Sequence, residues 1–178
     1  YFAPHQNLTL AVRGLHLGRY GPDVRVRDGV EPRIRPFFVG QEAFIRGYSS
    51  VSFRVQECTI TPDGGCPEFD RLIGQRIGVV NLEARVPVLG TDRLGLISFP
   101  MLPTELVLFA DAGAAWSRGA PIDFTFERDT PDRVPVFSTG IATRTNLLGA
   151  FIVEVFYAHP FQRPQRGSHF GIQIQPGW

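Results

Sequence analysis

Lysine is absent: all 18 basic residues are arginine. A P-loop, which needs a lysine on the terminal phosphates, is therefore excluded, and no Gly-x-Gly pair offers another phosphate cradle. His5, His16, His159 and His169 show no metal-ligand spacing. No Ser-His-Asp grouping carries a nucleophile elbow. No cofactor, no metal and no enzymatic activity are expected. No apolar run approaches the roughly 18 residues of a membrane helix. The start, Tyr1-Phe-Ala-Pro-His-Gln-Asn, lacks the basic and apolar regions of a signal peptide. The chain is instead expected to be the C-terminal part of a longer protein. Eighteen basic and 17 acidic residues leave a net charge of +1, with no basic stripe, so no nucleic-acid partner is expected.

Cysteine is scarce as well. The two residues fall in Cys58-Thr-Ile-Thr-Pro-Asp-Gly-Gly-Cys66, and Pro62-Asp-Gly-Gly65 is a strong turn signal. A local disulfide between Cys58 and Cys66, in an oxidising compartment, is the expected pairing; two free thiols are the alternative.

Helical signals are nearly missing. What is present is alternation between scattered Gly and Pro, which marks β-strands. Six segments show it: Asn7 to Arg19, Gln75 to Val88, Glu105 to Trp116, Val134 to Leu147, Phe151 to Phe161, and Ser168 to Trp178. In the second, Val80, Leu82, Ala84 and Val86 oppose Asn81, Glu83 and Arg85. In the third, Leu106, Leu108 and Ala110 oppose Val107, Phe109, Asp111 and Gly113, so Asp111 stands alone among apolar and small neighbours. Glu154 and Arg144 read as solvated charges facing away from the apolar side.

These segments, about 10–14 residues long, exceed the usual 5–6 of soluble strands. A tilted membrane-spanning strand needs about 9–11. Short connections (Asn146–Gly149) alternate with long ones (Gly21–Gly74, Ser117–Arg133). Tyr20, Trp116, Tyr157 and Trp178 lie at or near strand ends, where aromatic girdles of membrane barrels sit. A transmembrane β-barrel and a soluble β-sandwich both stay open on pattern alone.

The connection Gly21–Gly74 is too long to be a plain link. Its centre, Pro36 to Ser50, is aromatic and apolar, unlike a disordered segment. Arg46 sits inside it, between Ile45 and Gly47. A desolvated guanidinium needs well-placed acceptors, so Arg46 poses the question of where its carboxylate lies.

Four segments together resemble the C-terminal part of the BamA-type bacterial surface-antigen barrels. They are Phe44-Ile-Arg-Gly-Tyr48, Asn81-Leu-Glu-Ala-Arg-Val-Pro87, Phe109-Ala-Asp-Ala-Gly113 with Trp116, and the ending Phe170-Gly-Ile-Gln-Ile-Gln-Pro-Gly-Trp178. The resemblance implies an all-β fold: about six C-terminal strands of an antiparallel transmembrane barrel, sixteen strands in all, with a long lumen-inserted loop. It implies that Arg46, Gly47 and Tyr48 form the loop tip and meet Glu83 and Asp111, with Gly113 in the same strand motif. Phe170, Ile172, Ile174 and Trp178 would form the C-terminal insertion signal. Cys58 and the run Phe69 to Gly74 further resemble a subgroup with a WD40-like β-propeller before the barrel.

The function implied is insertion or passage of polypeptides at the bacterial outer membrane. The expected partners are outer-membrane lipid, the remaining barrel strands, and a polypeptide substrate or periplasmic domain. Two other readings are a non-translocating anchor for a periplasmic domain such as a propeller, and a soluble β-sandwich binding module.

Overall fold

The computed structural model describes residues 2–5, 7–21, 34–62, 64–91 and 95–176. Asp63, Gly177 and Trp178 lie outside the described residues.

Among the described residues there are ten strands: β1 (Phe2–His5), β2 (Leu8–Gly18), β3 (Phe37–Phe38), β4 (Ile73–Gly74), β5 (Arg76–Gly90), β6 (Ile97–Ser98), β7 (Thr104–Trp116), β8 (Val136–Leu147), β9 (Phe151–Pro160) and β10 (His169–Pro176). One eight-stranded sheet runs β1-β2-β5-β7-β8-β9-β10, with β6 added in parallel on β5. Every pairing along that path is antiparallel. The other sheet is only the β3–β4 pair. The alternating segments thus fold as strands within a few residues of their expected ends. β1 is an addition that alternation did not mark.

Local chemistry sets the tight turn between β8 and β9. Leu148 and Gly149 both have positive φ, 54° and 75°, as a type I′ hairpin turn requires. The Asn146 side chain accepts the Gly149 N–H at 2.8 Å, and the Ala150 N–H reaches the Leu147 carbonyl at 3.0 Å. A leucine pays for that conformation sterically, so the hydrogen bonds and the β8–β9 ladder must hold it.

The two faces of the sheet differ. One face is bare: Val80, Leu82, Leu106, Leu108, Ile141, Val155, Phe170, Ile172 and Ile174 are all exposed. The other is covered by the connection between β2 and β5. Val39, Ile45, Tyr48 and Leu72 of that connection pack against Ile77, Val79, Ala115 and Val136 of the sheet. Each large side chain fully buried this way contributes about 1.5–3 kcal/mol. Lower on the covered face, Phe109 and Phe156 meet edge to face at 6.4 Å beside Val107, Ala142 and Ala158.

The connection has little regular structure of its own. Its described residues hold two short 3-10 turns (Ser50–Ser52 and Val55–Glu57) and one short helix, α1 (Pro67–Asp70), with its proline in the first turn. Part of its described backbone is bonded within the β3–β4 pair and part to side chains such as Asn81 and Arg163. The Val39 N–H, for example, meets the Leu72 carbonyl at 2.9 Å.

Candidate functional site

The site begins with register. Antiparallel pairing sets Asn81 opposite Asp111, Glu83 opposite Phe109, and Arg144 opposite Glu154. Because side chains alternate with period two, Asn81, Glu83, Asp111, Arg144 and Glu154 all project from the covered face. Carboxylates from β5, β7 and β9 converge there on the loop tip.

Arg46 fills the convergence. Its Nε donates to Asp111 Oδ2 at 2.8 Å and its Nη2 to Asp111 Oδ1 at 2.9 Å, a two-pronged grip. Nη2 also donates to Glu83 Oε1 at 2.8 Å, and Nη1 to Glu154 Oε1 at 3.2 Å. Its backbone N–H reaches Asp111 Oδ2 at 3.1 Å. The guanidinium lies 3.7 Å from the centre of the Phe109 ring, which adds a cation–π contact. Arg46 is 3% exposed and Asp111 2%. Burial works to deprotonate Arg46, but the Asp111 hydrogen bond and the charges of Asp111, Glu154 and Glu83 outweigh it and hold the guanidinium well above its ordinary range.

The charges balance. Arg46, Arg85 and Arg144 face Glu83, Asp111 and Glu154, three cations against three carboxylates. Asn81 ties the set to the loop backbone: its Nδ2 donates to Asp111 Oδ1 and to the Phe44 carbonyl, both at 2.8 Å. Planar guanidinium forks suit such bidentate, desolvated pairing.

The two residues after Arg46 fix the loop's exit. Gly47 has φ 89°, a conformation glycine adopts without strain. A Cβ there would lie 3.3 Å from the Ala158 side chain. The Gly47 N–H donates to Glu42 at 2.9 Å. Burial raises the Glu42 carboxyl above its ordinary value, a shift that this hydrogen bond partly offsets. The Tyr48 hydroxyl lies 3.0 Å from the Phe137 carbonyl and accepts the Gln162 N–H at 3.1 Å. Full burial pushes its phenol up.

Gly113 is in contact with the tip as well. A Cβ on it would overlap the Ile45 side chain. The expected site residues Arg46, Gly47, Tyr48, Glu83, Asp111 and Gly113 are therefore gathered in one place. Cys58 and Cys66 form a disulfide further along the same connection. Phe170, Ile172 and Ile174 lie exposed on the bare face of β10.

One expectation needs correction. Glu154 is not a solvated charge: it is 1% exposed and is the third acid on Arg46. Arg144 is half-buried between Glu154 and Glu83. The reason lies in sheet order and register: β9 is two strands from β7, and Arg46 spans the gap from Asp111 to Glu154 on the same face. A signal for Glu154 was present, since it is a lone carboxylate among apolar residues, as Asp111 is. Arg163, Gln162, Glu57, Arg71 and Arg133 were also missed. Arg71 and Arg133 cap backbone carbonyls: Arg71 reaches Thr130 and Gln162, and Arg133 reaches Asp70, Arg71, Ile73 and Ala115. They lie in connections without periodicity, so their partners had no signature.

Among the described residues, no three His, Cys, Asp or Glu side chains gather as a metal site. No described helix is long and apolar enough to cross a membrane, which says nothing of strands.

A buried ionic cluster on one face of an antiparallel sheet, with bare leucines on the other, defines a sheet whose apolar side faces outward. The Omp85 superfamily domain matches residues 6–177. The chain belongs to the Omp85 superfamily, which is non-catalytic. No curated protein and no solved structure matches it.

Proposed function

We propose that this chain forms the C-terminal strands of a closed outer-membrane β-barrel that assists insertion or passage of polypeptides. The single observation that carries the reading is the reversal of polarity across one sheet. Exposed Leu82 and Leu108 alternate with Glu83 and Asp111 along the same strands. In water that arrangement leaves a wide apolar surface uncovered. In lipid it is the expected one. It also weighs against a soluble sandwich, which needs two packed sheets with apolar faces inward.

β1 and β10 are the edges of the sheet. Lipid does not tolerate unpaired edges, so further strands close the barrel; sixteen in all is the number the family resemblance implies. The β2–β5 connection then lies in the lumen, anchored by Arg46, Gly47 and Tyr48 on Glu83, Asp111 and Glu154. Below it a space of about 690 Å³ remains, edged by Arg13, Arg85, Glu105, Arg144, Gln173 and Gln175. That mixed-charge chamber suits transient contact with an unfolded chain. β10, with its exposed Phe170, Ile172 and Ile174, supplies the outward pattern of an insertion signal.

Nitroxide labels test the membrane reading in the full-length protein in bilayers. Cys58 and Cys66 are paired, so within this chain a label goes only to an introduced cysteine. Labels at Leu82 and Leu108 should favour oxygen over a water-soluble nickel chelate, and a label at Gln175 the reverse. Water-like accessibility at both leucines would overturn it.

The lumen plug also favours a second reading: a sealed barrel that anchors a periplasmic domain, such as a propeller. Reconstituted vesicles separate the two. An insertase accelerates assembly of an unfolded outer-membrane protein; a sealed anchor neither does so nor conducts ions.

A further inference from the structure

The connection between β9 and β10 carries Arg163, which pairs with none of the acids that hold Arg46. It is 2% exposed. Its Nε and Nη2 donate to the two oxygens of Glu57 at 2.7 and 3.0 Å. Its Nη1 donates to the Gly47 carbonyl at 2.5 Å and to Ser52 Oγ at 2.8 Å, and its Nη2 to the Ser52 carbonyl at 2.9 Å. The guanidinium also stacks 3.9 Å from the centre of the Phe53 ring. All these partners belong to the long connection. Arg163 itself anchors the turn at the top of the hairpin, since its carbonyl accepts the Arg166 and Gly167 N–H groups.

The rest of the hairpin is tied to the same three tip residues. Arg46 grips Glu154 of β9, and Glu154 Oε1 in turn accepts Gln173 Nε2 of β10 at 2.9 Å. Gly47 lies against Ala158, Pro160 and His169. Tyr48 meets Gln162. By contrast, among the described residues β10 pairs with β9 alone. Its covered face offers only His169, Gly171, Gln173 and Gln175, with no aliphatic side chain to bury.

We infer that Arg163 is a positioning residue that latches the β9–β10 hairpin to the long connection, so that β10 leaves its place only together with the loop tip. Glu57 is the strike plate of this latch. The Cys58–Cys66 disulfide closes the segment directly after Glu57, which limits how far the carboxylate strays when the latch opens. The consequence for function rests on the barrel reading above: there β10 is the strand at the seam, and the loop is its strap.

The test is hydrogen exchange by mass spectrometry on the full-length protein in bilayers. In wild type, the peptides covering 45–57 and 168–173 should open in one step as denaturant rises, at a common midpoint. Arg163→Met keeps the length of the side chain but removes its charge and donors. It should speed exchange in both peptides about tenfold or more, as expected for losing charged hydrogen bonds, and leave β5 and β7 unchanged. Arg163→Lys should fall between. Should Arg163→Met fail to assemble, Glu57→Gln reads the same coupling with a smaller change. Separate midpoints in wild type, or faster exchange in 45–57 with β10 at its wild-type rate, would overturn the latch. The nitroxide labels at Leu82 and Leu108 report on the barrel reading independently, so failure of one is not mistaken for failure of the other.

Discussion

Leu82 and Glu83 are neighbours, and so are Ala110 and Asp111, yet each pair spans two unlike surroundings. The bare face of β5 and β7 presents side chains with little around them. One residue along, the covered face buries charges almost completely. The comparison teaches that the sheet is not stabilised in the manner of a soluble one. Its apolar residues do not form the main core; the core lies between the sheet and its own connection. Two kinds of change therefore discriminate the faces: removing a charge from the covered side, and adding one to the bare side.

The largest effect is expected on the covered side. Arg46→Ala leaves buried Asp111 with Asn81 but no cation, while Glu83 and Glu154 keep Arg144. Breaking a buried set by removing one partner costs about 3–5 kcal/mol. The sheet ladders do not depend on Arg46, so the loop tip should detach while the strands persist. Proteolysis between residues 34 and 74 should accelerate with strand content by circular dichroism unchanged. Arg46→Lys should rescue poorly, because an ammonium cannot fork across Asp111 while reaching Glu83 and Glu154. Equal protection in wild type and Arg46→Ala would remove the anchor from the covered face.

The mirror change comes next. Leu108→Arg places a guanidinium on the bare face. If that face meets lipid, the cost is about 2–4 kcal/mol near the bilayer midplane, and the assembled, heat-modifiable fraction should fall. Leu108→Phe should assemble normally. If Leu108→Arg assembles as well as wild type, the bare face does not meet hydrocarbon, and the contrast between the faces loses its cause.

How legible this contrast was from residue order depends on the distance over which it acts. Alternation needs only neighbours, so the strands, the faces of Glu83 and Asp111, and the bare leucines could all be read directly. The disulfide could be read because Cys58 and Cys66 flank a local turn. Arg46 was marked by its apolar surroundings, and its partners came from a family resemblance rather than from spacing. Glu154 was misread because its meeting with Arg46 requires β9 to lie two strands from β7, a fact of register. The Arg163–Glu57 pair joins two irregular connections, where no period constrains which side chain points where. The strand β1 was missed because it is short and pairs across a bulge.

A smaller effect sharpens the covered side. Gly113→Ala adds a methyl group where the Ile45 side chain already sits. Ile45 must shift, and it is fully buried beside Tyr48 and Val79. Overpacking of this kind costs about 1–3 kcal/mol. Ala110→Leu, on the bare face of the same strand, should cost little. Thermal unfolding of the two variants in bilayers checks this: a lower midpoint for Gly113→Ala alone supports the difference in packing, and equal midpoints would remove it.

The smallest effect concerns Glu42, the carboxylate that holds the Gly47 N–H. Burial raises its pKa in the folded protein, so the charged form is the costly one. A group whose folded pKa lies above its unfolded value contributes stability that is complete below the unfolded pKa and is lost as pH rises through the folded pKa. Above its folded pKa Glu42 is charged and that contribution is gone. Glu42→Gln keeps an oxygen for the Gly47 N–H and removes the charge, together with its repulsion by Asp111. Loop protection should rise slightly at pH 7, and the difference from wild type should shrink as pH falls toward and below about 4.3, the unperturbed glutamate value, where wild-type Glu42 is itself neutral. Glu68 has the opposite sign: burial works to raise its pKa, but the Thr59 hydroxyl and N–H outweigh it and lower it. Acid should thus loosen the disulfide arm around Thr59 and Cys66 through loss of that contact, while it relieves the tip at Glu42. Amide exchange at pH 7 and at a pH well below about 4.3, the unperturbed glutamate value, corrected for the intrinsic rate, reads both ends of the connection in one experiment. If Glu42→Gln weakens the tip at pH 7, the charge itself holds Gly47, and the tip is an ionic clamp throughout rather than one cation gripped by acids with a strained carboxylate beside it.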